Sequence, residues 1–203
     1  MNLTRNIWCV GRNYKEHAAE MKAEIPQSPL VFLKSGDCLN LSSKIKLPKW
    51  SAEIHYELEI ALLFDENLSF SHITLALDLT ARDAQTEAKK KGQPWTLAKS
   101  FSESCPISQW IPMSEFSSLS QLVFQLKVNE KVAQIGHADE MIFSPNTLAE
   151  FVKSHFPLQK HDILLSGTPS GVGALQSGDL LSAEIWDKTA PHKKLLICNW
   201  DVE

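Results

Sequence analysis

The sequence predicts an α+β domain that is β-rich, with few helices, and three observations predict it. Short apolar runs of strand length recur along the chain, at 7–11, 31–35, 54–64, 73–79, 97–101, 122–128, 162–167, 180–186 and 194–200. Only three segments, 13–21, 82–92 and 145–155, carry helix-favouring patterns. Those helices do not alternate regularly with the strands, which argues against a βαβ sheet. The 10 prolines and 8 glycines are dispersed as turn markers, and no repeat or low-complexity linker divides the 203 residues. One domain over 1–203 is therefore expected.

In chain order, IWCVG (7–11) reads as a short strand. NYKEHAAEM (13–21) is rich in helix formers and stops before Pro26. VFLKS (31–35) is the next strand, with a weaker one at 44–47. In the 54–64 run, His55, Glu57 and Glu59 share one face and Tyr56, Leu58, Ile60 and Leu62 the other. Beyond Glu59 both faces turn apolar, so two carboxylates stand side by side where the strand enters an interior. ITLALDL (73–79) is a further apolar run. RDAQTEAKKKG (82–92) is a polar helix stopped by Gly92 and Pro94. The remaining strands and the helix at 145–155 complete the pattern.

The composition limits the function. Hydrophobic residues make up 43% and charged residues 22%, as in an ordinary globular domain. A net charge of -4 and a pI near 6.0 argue against a nucleic-acid partner. Lys89, Lys90 and Lys91 form only a short basic cluster. The opening MNLTRNIWCVG lacks a signal-peptide core, and no window approaches the roughly 18 apolar residues of a membrane span. Cysteines 9, 38, 105 and 198 form no CxxC pair, so reduced thiols in a soluble cytoplasmic protein are expected, with no membrane association.

Three constellations carry chemistry. Adjacent carboxylates entering a core need protonation, basic partners or a metal ion. Asp78, in LALDLTARD, is a third acid at the end of an apolar run, and Lys99 and Arg82 are the cations available to balance a triad. All-oxygen ligation suits a hard cation, Mg²⁺ first, then Mn²⁺ or Ca²⁺; taken alone, the common Glu57–Glu59 spacing fits a solvent-facing strand edge with ordinary salt bridges better. His17 and Glu20 are one helical turn apart, a spacing that suits water activation and also an unremarkable charged helix face. In SGTPSGVG (166–173), three glycines around Thr168 and Pro169 make a tight turn, either an anion cradle or a purely structural bend. It lacks the GK[ST] ending of a P-loop.

Seven stretches in order, GRNYKEHAAEM, FLKS, HYELEIAL, DLTARDAQ, KKKGQPWTLAKSFSESCPIS, MIFSP and DILLSGTPSGVG, resemble the fumarylacetoacetate hydrolase family, nearest to its acylpyruvase and oxaloacetate decarboxylase branch. The resemblance spans about residues 9 to 180. It implies a fumarylacetoacetate hydrolase-type fold with a rolled, barrel-like mixed sheet, a homodimer, and a short lid segment at about 13–26. It places Glu57, Glu59 and Asp78 on metal-ligand positions holding Mg²⁺ or Mn²⁺. His17 and Glu20 match a water-activating pair, and Lys99 a lysine stabilising an enolate. Arg82, Gln85 and Thr168 match substrate-pocket positions, with Lys34 a further candidate. The implied substrate is a small 2-oxo acid: an acylpyruvate hydrolysed at its C–C bond, or oxaloacetate decarboxylated. Oxaloacetate keto–enol tautomerisation on the same site is the alternative, and a binding protein without turnover a third reading.

Overall fold

A computed structural model describes residues 4–21 and 23–203. Two open sheets dominate it. The larger has six strands in the order Ile111–Pro112, Phe70–Leu77, Leu58–Phe64, Ile163–Leu165, Asn6–Gly11, Leu30–Ser35. The other has five, ordered Lys131–His137, Leu122–Val128, Leu180–Asp187, Lys194–Val202, Lys44–Ile45. Most neighbours are antiparallel. Asn6–Gly11 runs parallel to Ile163–Leu165, and Lys194–Val202 parallel to Lys44–Ile45, so both sheets are mixed. Four α-helices accompany them among the described residues: α1 (Lys15–Glu20), α2 (Arg82–Lys91), α3 (Thr96–Lys99) and α4 (Pro145–His155). The β-rich class with few helices holds. Among the described residues no sheet closes on itself, so the ladders are those of open sheets rather than a barrel.

The six-stranded sheet is covered on both faces, which explains the near-continuous apolar run of LEIALLF. Leu58, Ile60, Leu62 and Phe64 pack with Leu126, Leu181, Ile185 and Trp200 of the five-stranded sheet in the main core. Ala61, on the opposite face, packs with Ile7, Cys9, Ile163 and Leu165 in a second cluster. α4 is capped as its sequence suggests, Ser144 Oγ accepting from Thr147 N–H at 3.2 Å with Pro145 in the first turn. α2 ends on Gly92 at φ 63.

Three local expectations are corrected. The run at 97–101 is not a strand: Lys99 N–H bonds Trp95 O at 2.9 Å and Ser100 N–H bonds Thr96 O at 2.8 Å, closing α3. Thr-Leu-Ala-Lys is short enough for tertiary context to decide its state. The 54–64 run is two strands. Ile54–Tyr56 pairs with Thr80–Ala81 and Gly173–Ala174 in a small third sheet, while Leu58–Phe64 joins the six-stranded one, and the break falls at Glu57. Finally, Lys131–His137 forms a hairpin with Leu122–Val128 that the apolar pattern did not flag. Its signal is the turn, where Asn129 (φ 50) and Glu130 (φ 65) both take left-handed backbone.

Candidate active site

The break at Glu57 brings the acids together. Leu58 pairs with Leu77, so Glu57 and Asp78 both lie just beyond that rung, and Asp78 N–H donates to Glu57 O at 2.8 Å. The ligand oxygens of Glu57, Glu59 and Asp78 lie within 4.8 Å of one another, and all three residues are buried. A strand-edge salt-bridge reading therefore fails on burial. It survives in one respect, because Glu57 is ion-paired: Arg82 Nη2 donates to its Oε1 at 2.5 Å and Lys99 Nζ to its Oε2 at 2.7 Å. Lys99 Nζ also donates to Asp78 Oδ2 at 2.6 Å.

The electrostatics are uneven. Burial pushes the Glu57 carboxyl upward, but Lys99 and Arg82 outweigh it and hold the group well below the usual carboxylate range. Burial, Asp78 and Glu57 together raise the Glu59 carboxyl well above that range. Burial opposes the charge on Lys99, yet Asp78 and Glu57 hold its pKa above the usual lysine value. Asp78 Oδ1 is 2.9 Å from Lys34 Nζ but receives no hydrogen bond, because that ammonium already faces four other acceptors. An all-oxygen set with one orphaned buried oxygen and one carboxyl resisting ionisation fits a hard divalent ion held by Glu57, Glu59 and Asp78.

Behind the triad, Lys34 is fully buried. Its ammonium reaches the carbonyls of Leu79, Lys99 and Ser104 and the Ser104 hydroxyl. It does not line the cleft in front of the carboxylates, so the structure places it beneath the site rather than against a substrate.

His17, Glu57, Glu59, Asp78, Arg82, Gln85, Lys99 and Thr168 all line the cleft. His17 is buried on α1, and Glu20 Oε2 lies 3.1 Å from its Nδ1. Arg82 is braced on three sides: by Glu57, by Gln85 Oε1 at 2.7 Å, and by His55 Nδ1 at 3.4 Å from its Nε.

The N–H groups of the glycine turn do meet carboxyl groups, and these belong to the protein itself. Gly167 N–H donates to Glu59 Oε2 at 2.6 Å, and Gly171 N–H to Glu20 Oε1 at 3.1 Å. Both glycines sit at positive φ, +91 and +94, and an added Cβ would lie 2.6 Å from Asn13 Cβ or 2.1 Å from Ala133 O. Gln134, which no sequence pattern marked, locks this turn. Its amide accepts from Leu58 N–H at 2.9 Å and donates to Thr168 Oγ1 at 2.8 Å and Pro169 O at 2.9 Å. The Thr168 hydroxyl in turn donates to Leu58 O at 2.9 Å. Arg12, Lys89 and Trp95 also line the cleft and went unread in the sequence. For Lys89 a signal existed, since 82, 85 and 89 recur at i, i+3 and i+7 along α2.

Fold and site together define a class: a β-rich enzyme domain in which a buried carboxylate triad suited to a divalent ion faces a small polar cleft. The chain belongs to the fumarylacetoacetate hydrolase family, whose model for the fumarylacetoacetate (FAA) hydrolase C-terminal region matches residues 6–199. It is 39% identical over 192 residues to the Bos taurus protein named oxaloacetate tautomerase FAHD1, mitochondrial, covering 89% of this chain and 87% of that one. It is 37% identical over 193 residues to Dictyostelium discoideum oxaloacetate decarboxylase, mitochondrial, covering 89% and 88%. Among solved structures it superposes on fumarylpyruvate hydrolase from Pseudomonas aeruginosa, in complex with Mn²⁺ and pyruvate, with a TM-score of 0.88 at 26% identity. That match covers 98% of this chain and 89% of the other.

Proposed function

We propose that this chain is a divalent-metal-dependent enzyme acting on small 2-oxo acids through a stabilised pyruvate-type enolate. The observation that carries the reading is the buried Glu57–Glu59–Asp78 cluster with Lys99 between two of its members. Mg²⁺ or Mn²⁺ is the ion proposed, and when bound it supplies Lewis-acid polarisation of the 2-oxo oxygen. Lys99 provides a permanent positive charge and hydrogen-bond donor where enolate charge develops. Arg82 and Gln85, braced against each other, orient the substrate carboxylate together with the backbone N–H of Thr168. Glu20 holds Nδ1–H of His17, which leaves Nε2 as the basic nitrogen toward the cleft.

This residue set serves three outcomes. Water deprotonated by His17 and directed at a distal carbonyl hydrolyses an acylpyruvate. Loss of CO₂ from oxaloacetate needs no attacking water. Proton transfer between carbon and oxygen interconverts the keto and enol forms of oxaloacetate, with His17 as the base. The relatives named for oxaloacetate favour the last two for this chain, whereas the intact His17–Glu20 pair favours hydrolysis. We further propose that segment 13–26 closes over bound substrate, its Lys22 lying outside the described residues, that the chain works as a homodimer, and that it resides in the cytoplasm. Four free thiols support a reducing compartment.

The test is a parallel assay of Mg²⁺-loaded protein on acetylpyruvate and on enol and keto oxaloacetate, with a chelator control. Chelator-sensitive turnover of at least one is expected. Turnover of all three unchanged by chelator would refute the metal-dependent reading, and no turnover of any would refute the substrate class.

A further inference from the structure

α2 presents one polar face to the cleft: Arg82, Gln85 and Lys89. The first two are committed to Glu57 and to each other. Lys89 lies beyond them at the rim, leaning back along the helix toward Gln85. Its ammonium sits 5.3 Å from the centre of the Trp95 ring, and among the described residues no carboxylate comes within ion-pairing distance of it. Burial, then Arg82, then Arg12 push its pKa below the usual lysine range.

Arg12 lies on the same cleft and is likewise unmatched by any acid among the described residues. Its backbone is held at φ 59, in the left-handed region that a non-glycine residue seldom adopts and that clusters at functional sites. The cleft is therefore polarised, with a cation-binding acidic floor and a rim carrying two cations without a counterion. Like charges gathered on a concave surface without an acid are unfavourable until an anion arrives.

We infer that Arg12 and Lys89 clamp a second carboxylate, making the site selective for four-carbon 2-oxo diacids over acylpyruvates with an uncharged distal end. The inference rests on the reading that the 2-oxo acid end binds at the acidic floor. With that end at Glu57, Glu59 and Asp78, a distal carboxylate elsewhere in the same cleft meets Arg12 and Lys89, the lining cations that no acid already pairs. Trp95 supplies a flat wall that keeps the Lys89 stem in place.

The test has two arms on Mg²⁺-loaded protein. Calorimetric binding of pyruvate and of oxaloacetate to the wild type probes the floor alone and the floor plus rim. The ratio of kcat/KM for keto–enol tautomerisation of oxaloacetate to that of its 4-methyl ester, which lacks the second charge and cannot lose CO₂, is then compared between wild type and the Arg12→Gln/Lys89→Gln double variant. The clamp predicts that the ratio falls by about tenfold or more for each cation removed, and that Arg12→Lys keeps most of the preference. A double variant with the wild-type ratio, in a protein that still binds pyruvate, overturns the clamp and leaves the 2-oxo acid reading standing. Wild-type protein that binds neither pyruvate nor oxaloacetate overturns that reading, and the clamp with it.

Discussion

Asp78 is pulled on from two sides by buried ammoniums, Lys99 at 2.6 Å from Oδ2 and Lys34 at 2.9 Å from Oδ1. Lys34 touches four oxygen acceptors besides, so its removal takes one of two counter-charges from a buried carboxylate and leaves several buried carbonyls without their donor. Lys34→Met should cost about 3–5 kcal/mol of stability in urea unfolding, the range for breaking a buried pair from one side. Lys91→Met, which removes an exposed partner of Glu87, should leave the urea midpoint unchanged. A cost near zero for Lys34→Met would mean that the ammonium is no structural counter-charge. At the same scale, Glu20→Ala removes the carboxylate that lies 3.1 Å from His17 Nδ1. Acetylpyruvate hydrolysis should fall about a hundredfold, with a smaller loss of oxaloacetate tautomerisation, since only hydrolysis needs an oriented water. Equal losses in the two assays would refute that division of labour. At this scale the residues offered the acidic triad only as one of two readings, a metal site or a salt-bridged strand edge, and the family resemblance chose between them. Lys34 was not legible as a buried counter-charge, because burial is decided by strands far away in sequence.

Among elements, the turn at 166–173 does more than its glycine content suggested. It ties Glu59 on the Leu58–Phe64 strand to Glu20 on α1, and Gln134 of the Lys131–His137 strand anchors it. Gln134→Ala leaves Leu58 N–H and Pro169 O without their partner in a buried place. A loss of about 1–3 kcal/mol in urea unfolding is expected. Unchanged stability would show that the turn is held by other contacts. The sequence offered these glycines as a cradle for an anionic ligand or as a structural bend, whereas the partners in the structure are carboxyl groups of the chain itself. No local pattern can reveal that, because the turn and its carboxylates lie more than a hundred residues apart. The same limit explains α3. Trp95 to Ser100 carries apolar and β-tolerant residues that suit a strand, and only packing of Ala98 and Lys99 beside Asp78 selects a helical turn.

For the whole molecule, the two-sided burial of the six-stranded sheet follows from sequence, since LEIALLF and DILLSG are apolar on both faces. The pairing of strands into two sheets does not, because register depends on partners that hydropathy cannot specify. Burial of the sheet's second face also protects the Cys9 and Cys105 thiols, and Cys198 packs against the main core from the five-stranded sheet. Burial raises the Cys9 and Cys105 thiols well above their ordinary value, and pushes Cys198 up to about 11. In the unfolded chain these groups ionise near pH 8.5. A pKa raised on folding contributes stability below the unfolded value and loses it as pH climbs toward the folded one. Stability should therefore fall between about pH 8.5 and 11, by up to about 1.4 kcal/mol per pH unit for each such thiol. Urea unfolding at pH 8 and pH 10 measures it, and a shallower fall is expected for Cys198→Ala. No difference between that variant and the native protein would show that this thiol ionises alike folded and unfolded.

Every catalytic role proposed for this cleft depends on Glu57, Glu59 and Asp78 binding a divalent ion. Titration of the metal-stripped protein with Mn²⁺, followed by loss of the free-ion electron paramagnetic resonance signal, tests it directly. The prediction is one ion per chain in the native protein and no tight binding in Glu59→Gln, with Glu184→Gln on the five-stranded sheet as a control behaving like the native chain. Tight binding of one Mn²⁺ in Glu59→Gln, or none in the native chain, would contradict it.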